Sequence, residues 1–385
     1  MRAISSLRIE MVLPALARGG MEVMASQLTR ALGNRGHHVG VTCIECDGPL
    51  ADDLRNEGFR VSVVPAPGVR GNLRAPALER WFQQQQPDVV HVHSGAWMKA
   101  ARAARRAKVP RVVHTVHGLL DQEPWHSTFQ KRFAARYTDS IAAVSESLRE
   151  YLADGVKLDR RKITVIANGI DTTRFTPGPR TGYVRKALEL PDESLLIGNV
   201  AGLKPVKDHL LLLEAFRRVR DELPRTHLVI VGDGPLHPAL QERAIMLGMA
   251  EVVHFMGAVR NPAAIYRDLD LFVSSSKAEG TSMSILEAMA SGVPVVATSV
   301  GGTPDALAQG ACGWLVPPAD RDTLTSAIVS LLCDAAERRR LALAARVRAV
   351  ERYSEDAMVH MYEALYQGRS ASSIGTTAAV GRCVG

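Results

Sequence analysis

Aromatic residues are scarce in this chain, 5% of 385 positions, and no nucleic-acid motif of basic residues interleaved with aromatics is present. Cysteine is sparse as well. Cys43, Cys46, Cys312, Cys333 and Cys383 are odd in number and follow no framework spacing, which excludes a disulfide scaffold and suits a reducing compartment. Cys43-Ile-Glu-Cys46 ends a strand-like run and has no second pair, so neither zinc nor redox work is expected there. The pairs His91-Val-His93 and His114-x-x-His117 lack a carboxylate or cysteine partner at a metal-ligand spacing. No apolar run approaches the roughly 18 residues needed to cross a bilayer. Met1 to Glu10 carries Arg2, Arg8 and Glu10 where a signal peptide would be apolar, so a cytoplasmic protein is expected. The dinucleotide fingerprint G-x-G-x-x-G is missing too, because the first glycine loop reads Ala17-Arg18-Gly19-Gly20-Met21-Glu22.

What is present is a globular composition, 46% apolar, over a length that suits two domains of ordinary size. The formal net charge of +7 is unevenly spread: residues 1–178 hold 25 Lys and Arg against 17 Asp and Glu, and residues 179–385 hold 22 against 23. The first half therefore favours an anionic partner, a phosphate-bearing acceptor or an anionic membrane face touched peripherally, and nucleic acid is not expected.

Apolar runs near 7–13, 39–44, 61–64, 88–93, 112–118, 140–144 and 163–166 read as strands, alternating with helix-like segments at about 20–32, 76–86, 99–108, 129–138 and 145–152. In an open parallel sheet ligands sit beyond the carboxyl edge of the strands, which makes His117 a candidate. Phe175-Thr-Pro-Gly-Pro179 looks like the break between two such series. The second has strands near 195–200, 226–231, 252–255 and 271–273, with helices at 209–220, 263–267, 324–332, 335–350 and 354–367. The expected organisation is a first domain over 1–175, a linker over 176–190, a second domain over 191–352, a final helix over 353–367 and a disordered tail over 368–385.

The chemistry concentrates in residues 275–302. Glu279 lies on the loop that ends the 271–273 strand, next to Gly280, and Glu287 lies just inside the helix whose start carries Thr281, Ser282, Met283 and Ser284. Gly292 suits a left-handed helix stop with Pro294 after it. The run 293–298 leads to a second glycine turn, Gly301-Gly302, and a second helix start at Thr303-Pro304-Asp305. Two strand-to-helix turns side by side offer free N–H groups to an anion, and the carboxylates can accept from hydroxyls, which is the chemistry of a sugar nucleotide. Ser284-x-x-Glu287 also matches a capping box, so a purely structural reading stands beside it. Asp208 suits an N-cap, which sets Lys207 at a helix start, where a cation is unfavourable unless an anion is bound.

The order Gly19-Gly20-x-Glu22, His117-Gly118, Ala143-Val-Ser-Glu146, Asn168-Gly-x-Asp171, Leu203-x3-Lys207, Gly232-Asp-Gly-Pro235, Glu279-x7-Glu287 and Gly301-Gly302 resembles the family 4 retaining glycosyltransferases of the GT-B fold. The resemblance covers nearly everything from residue 7 to 367. It implies two Rossmann-like, doubly wound α/β domains facing across a cleft, the second holding a nucleoside-diphosphate sugar and the first a glycan or lipid-linked acceptor. It implies Glu287 on the ribose, Glu279 on the donor sugar or its phosphate side, Lys207 on the diphosphate, and His117 beside the transferred sugar. The Gly19-Gly20 loop, Gly234 and residues near Gly257 would complete the donor site. No metal and no cofactor are expected, since fixed donors aimed at the leaving diphosphate can do what a divalent ion does elsewhere.

Two positions depart from the family pattern. Its usual arginine ahead of the lysine is Gly202 here, with Lys204 as the nearest substitute charge, and a lysine offers a point charge where arginine offers a fork. The glutamate after the glycine pair is Asp305. An epimerase or hydrolase acting on the sugar nucleotide, or a degenerate subunit that only binds it, are the alternative readings.

Overall fold

The computed structural model describes residues 6–17, 19–66, 74–118, 125–259 and 261–369. The chain divides into two units, the first ending at Gly169 and resuming at Glu355, the second running from Ile170 to Ser354. Cys383 and all but the start of the expected tail lie outside the described residues.

In the first unit β1 (Arg8–Leu13), β2 (His38–Cys43), β3 (Arg60–Val63), β4 (Val89–His93), β5 (Arg111–Val116), β6 (Ser140–Ala143) and β7 (Ile163–Val165) form one sheet in the order β3-β2-β1-β4-β5-β6-β7. Every pairing is parallel, with Arg8 opposite His38 and Ile9 opposite Val89. The connecting helices are α1 (Gly20–Asn34), α2 (Pro49–Asn56), α3 (Pro76–Gln85), α4 (Trp97–Arg106), α5 (Trp125–Ala135) and α6 (Glu146–Glu150), the last continuing as a π-turn over Tyr151–Gly155. Helices on both faces explain why the strands read as continuous apolar runs. Ile9, Met11 and Leu13 pack with Met24 and Leu28 of α1, whereas Val12, Val90 and Val92 pack with Phe82 of α3 and Ala100 of α4.

The second unit repeats the plan. β8 (Leu195–Val200), β9 (Thr226–Val231), β10 (Val253–Phe255), β11 (Leu271–Ser274), β12 (Val295–Thr298) and β13 (Trp314–Val316) form a parallel sheet in the order β10-β9-β8-β11-β12-β13. Its helices are α7 (Tyr183–Ala187), α8 (His209–Glu222), α9 (His237–Met246), α10 (Ala263–Asp268), α11 (Met283–Ala290), α12 (Thr303–Ala306), α13 (Arg321–Cys333) and α14 (Ala335–Tyr353). Asp320 and Asp334 start α13 and α14 by accepting from the N–H groups of Thr323 and Glu337, both at 2.9 Å. Gly292, at φ +71°, ends α11 as its sequence position suggested. The stretch 176–190 carries α7 and is fastened by the buried carboxylate of Asp268, which accepts from the N–H groups of Thr181, Gly182 and Val184 at 2.6, 3.0 and 2.8 Å.

The last helix, α15 (Glu355–Tyr366), belongs to the first unit. Tyr362 and Leu365 join the core on the α1 face, each such buried side chain contributing about 1.5–3 kcal/mol. Its polar anchors are equally specific. Tyr366 Oη lies 2.8 Å from His91 Nδ1, and Tyr362 Oη lies 3.0 Å from Thr115 Oγ1. The buried carboxylate of Glu363 faces Arg35 at 2.9 Å and His37 Nε2 at 3.2 Å. The Leu7 N–H donates to His37 Nδ1, so the neutral ring carries its proton on Nε2 and donates it to Glu363.

Each sheet has one place where strand order reverses, between β1 and β4 in the first unit and between β8 and β11 in the second. Loops leaving the carboxyl ends of such neighbours run to opposite faces, and the crevice they leave is where open α/β sheets bind ligands.

Candidate functional site

Lys207 and Glu279 follow β8 and β11, the neighbours at the switch point of the second sheet, and the structure brings them into contact. Lys207 Nζ lies 2.6 Å from Glu279 Oε1, and Ser276 donates to the same oxygen at 2.7 Å. The two loops are knitted by the Lys277 N–H on the Val206 carbonyl at 2.8 Å, and by the Ser275 hydroxyl 3.0 Å from the carbonyls of both Lys207 and Asp208. Asp208 holds the N-cap position of α8, as its sequence position suggested. Its backbone turns left-handed, at φ +47°, and its side chain makes no capping bond but faces Lys277 at 3.4 Å. Lys207, just before this turn, pairs with Glu279, so the anion that offsets a lysine at a helix start is supplied by the protein itself.

The neighbouring loops approach so closely that only glycine fits. A Cβ on Gly301 would stand 1.7 Å from the Glu279 carbonyl, at a φ of +53°. The Gly302 N–H donates to the Gly280 carbonyl at 2.8 Å, which fixes the backbone just after Glu279. A Cβ on Gly234 would stand 2.6 Å from the Leu203 carbonyl, and the Gly232 N–H donates to Gly257 at 2.8 Å. The loops carrying Lys204, Gly234 and Gly257 are thereby tied together. At Gly202 the nearest atoms to a Cβ, the Asp233 carbonyl oxygen and Lys204 Cε, are 3.9 Å away, so a side chain has room there.

Thr281 and Ser282 precede α11, with Met283 and Ser284 in its first turn, where N–H groups lack intrahelical acceptors. The capping-box reading fails, because Ser282 is the N-cap, no side chain caps it, and Glu287 turns instead to Tyr266. The Tyr266 hydroxyl, on α10, lies 2.9 Å from Glu287 Oε2 and 3.2 Å from the Ser284 carbonyl. Burial pushes the Glu287 carboxyl up to about 7, against the pull of the Tyr266 hydroxyl and of Arg174.

In the first unit Gly19 is the N-cap of α1, its carbonyl accepting from the Val23 N–H at 3.0 Å, and Gly20 opens the helix with no atom within 4 Å of a Cβ. His117 follows the end of β5. Its Nε2 lies 2.8 Å from Nδ1 of His93, the last residue of β4, with the rings stacked 5.1 Å apart. Burial pushes His117 down to about 3, which leaves a neutral imidazole at physiological pH.

Ser276, Tyr266 and His93 escape a sequence reading. Each touches an expected site residue through tertiary contact, and no spacing rule announces a tyrosine 21 positions from the carboxylate it serves. Among the described residues no group of three or more His, Cys, Asp or Glu is placed to hold a metal ion. A cavity of about 530 Å³ opens at the amino edge of the first sheet, lined by Arg8, Glu10, His37 and Arg60 among others, and no expected site residue lines it.

Residues 18–174 match the family described as Glycosyltransferase Family 4, and residues 194–334 the one described as glycosyl transferases group 1. A D-inositol 3-phosphate glycosyltransferase of Stackebrandtia nassauensis is 30% identical over 398 residues, covering 92% of this chain and 88% of its own. An Escherichia coli UDP-Gal:alpha-D-GlcNAc-diphosphoundecaprenol alpha-1,3-galactosyltransferase is 28% identical over 82% of this chain and 85% of its own. HepE of Anabaena, solved in complex with UDP and glucose, shares the fold with a TM-score of 0.82 at 22% identity, over 94% of this chain and all of that one. The two switch-point sheets share the GT-B fold of HepE, and the family matches and relatives make the chain a glycosyltransferase of that type. Within that class the chain belongs to family 4. Among the described residues no helix is long and apolar enough to cross a membrane.

Proposed function

We propose that the protein is a retaining, metal-independent glycosyltransferase that moves a hexose-type sugar from a nucleoside diphosphate to a glycan or lipid-linked acceptor in the assembly of a cell-surface polysaccharide or glycolipid. The observation that carries this reading is the meeting of Lys207, Glu279 and the start of α11 at the switch point of the second sheet. There Lys207, with Lys204 beside it, and the first-turn N–H groups face the diphosphate. Glu279 accepts from the sugar hydroxyls, its charge held in check by Lys207, and Glu287 accepts from the ribose diol.

As the bond to the anomeric carbon breaks, negative charge grows on the leaving diphosphate, and prearranged donors stabilise that charge without reorganising. Each such donor is worth about 2.7–4 kcal/mol. The acceptor hydroxyl attacks from the face the diphosphate is leaving, and a phosphate oxygen takes its proton, which retains the anomeric configuration. The first unit is the acceptor side. Its positive excess suits the phosphate-bearing acceptors that the names of the E. coli and Stackebrandtia relatives describe, and peripheral contact with an anionic membrane face in the cytoplasm.

The test begins with a thermal-shift panel of UDP, GDP, ADP and dTDP, in which a ligand at 100 times its Kd adds about 2.7 kcal/mol. The matching sugar nucleotides are then assayed for release of nucleoside diphosphate, and the product anomer is read by NMR. Release that depends on an acceptor, with the donor anomer kept, supports transfer. Acceptor-free release indicates a hydrolase, an altered donor an epimerase, and binding without turnover a degenerate subunit.

A further inference from the structure

His93 is fully buried on the last position of β4, and its Nε2 has no hydrogen-bond partner among the described residues. Its other nitrogen, Nδ1, meets His117 Nε2 at 2.8 Å. Two neutral imidazoles can share one hydrogen bond in two ways. If His117 donates from Nε2, the His93 proton sits on Nε2, a buried N–H with no acceptor. If His93 donates from Nδ1, only a lone pair is left bare in the interior, and the His117 proton sits on Nδ1. Orphaned buried N–H groups are the rarer defect, so the second arrangement is favoured. The surroundings hold His93 in place from both sides. Its ring packs 4.4 Å from that of His91, which is itself fixed between Tyr366 Oη at 2.8 Å and Thr115 Oγ1 at 2.7 Å.

We propose that His93 is a positioning residue that holds His117 as the Nδ1–H tautomer, so that His117 serves the reaction as a neutral hydrogen-bond donor and not as a base. This rests on the reading that His117 meets the transferred sugar. A ring whose Nε2 lone pair is occupied by His93 has no lone pair left for a proton from the acceptor hydroxyl. Its Nδ1–H can only donate, to a sugar hydroxyl for instance. Burial of both rings, which lowers the basicity of each, agrees with neutral partners.

The tautomer is read directly from nitrogen-15 NMR of the full-length protein with labelled histidine, the His117 signals being assigned by their loss in His117→Asn. The wild type should show His117 protonated at Nδ1 and bare at Nε2. His93→Asn, whose amide can place a donor near the site of Nδ1, should keep that signature, whereas His93→Leu should release His117 toward the Nε2–H form that a free imidazole prefers. A wild-type His117 protonated at Nε2, or a spectrum unchanged in His93→Leu, overturns the proposal. In the accompanying turnover assay with the sugar nucleotide selected by the panel, His93→Leu should lower kcat about fivefold, the worth of one neutral hydrogen bond, with the donor KM unchanged. His93→Asn should recover most of it at an equal melting temperature. Full activity in His117→Asn would refute the role given to His117 while leaving the tautomer result standing.

Discussion

Donor binding should depend on pH through Glu287, with a sign and size that follow from the burial of one carboxyl. The Tyr266 hydroxyl has one hydrogen and two neighbours that accept, Glu287 Oε2 at 2.9 Å and the Ser284 carbonyl at 3.2 Å. Donated to Glu287, that hydrogen favours the ionised carboxylate. Burial works against it and is the larger effect, so the carboxyl is pushed up to about 7. A ribose diol offers hydrogens, so it selects the ionised carboxylate and must displace that proton. If only the ionised form binds, the apparent Kd scales with the reciprocal of its population, and affinity should rise about tenfold from pH 6 to pH 8. The unliganded fold should move the opposite way. An acid whose pKa is raised on folding holds more protons when native, so its contribution is full below the ordinary value of 4.5 and is lost as pH rises through about 7. Calorimetric titration with the selected sugar nucleotide, whose phosphodiester groups do not titrate in this range, measures the slope, and buffers of different ionisation enthalpy count the proton released. Glu287→Gln should bind more weakly and independently of pH. Tyr266→Phe should move the midpoint upward, because the phenol stabilises the carboxylate. A flat profile in the wild type between pH 6 and 8, or affinity that falls with rising pH, would refute the reasoning.

Three further outcomes are expected. Gly301→Ala must either push its Cβ through the Glu279 carbonyl or open the loop pair, so it should lower stability by at least about 1–3 kcal/mol in chemical denaturation, with loss of turnover. Gly202→Arg should fold normally, since no atom lies within 3.9 Å of the new Cβ, and should tighten donor binding; a marked fall in melting temperature would contradict the open space seen there. Glu363→Ala leaves the buried His37 donor unpaired, while Arg35 keeps Asp356, and should cost about 1–3 kcal/mol, detectable as faster hydrogen exchange in α15 than in the wild type.

Much of the fold was legible because parallel strands buried on both faces leave short, β-branched apolar runs bounded by turn residues. Residues 89–93 and 226–231 show this most plainly. Short or charged elements were not. β13 is only Trp-Leu-Val, α2 is a proline-led octamer rich in Asp, and α7 lies in a stretch that reads as linker. At the site, Glu279 and Lys207 stood out because loop carboxylates and helix-start lysines are electrostatically conspicuous, yet their contact is a tertiary fact set by strand order. Asp208 illustrates the limit most sharply. It holds the N-cap position its residue type favours, but its backbone turns left-handed, its side chain makes no capping bond, and the Ser275 and Lys277 contacts that hold it there come from a distant loop.

The central claim is that the Lys207–Glu279 pair at the second switch point handles the diphosphate of a sugar nucleotide. Its most direct test is the release of nucleoside diphosphate by the full-length protein and by Lys207→Ala, with folding checked by melting temperature. Loss of that fixed cation should cut turnover by about 10²–10³ while the protein stays folded. A folded Lys207→Ala protein that turns over as fast as the wild type would contradict the account.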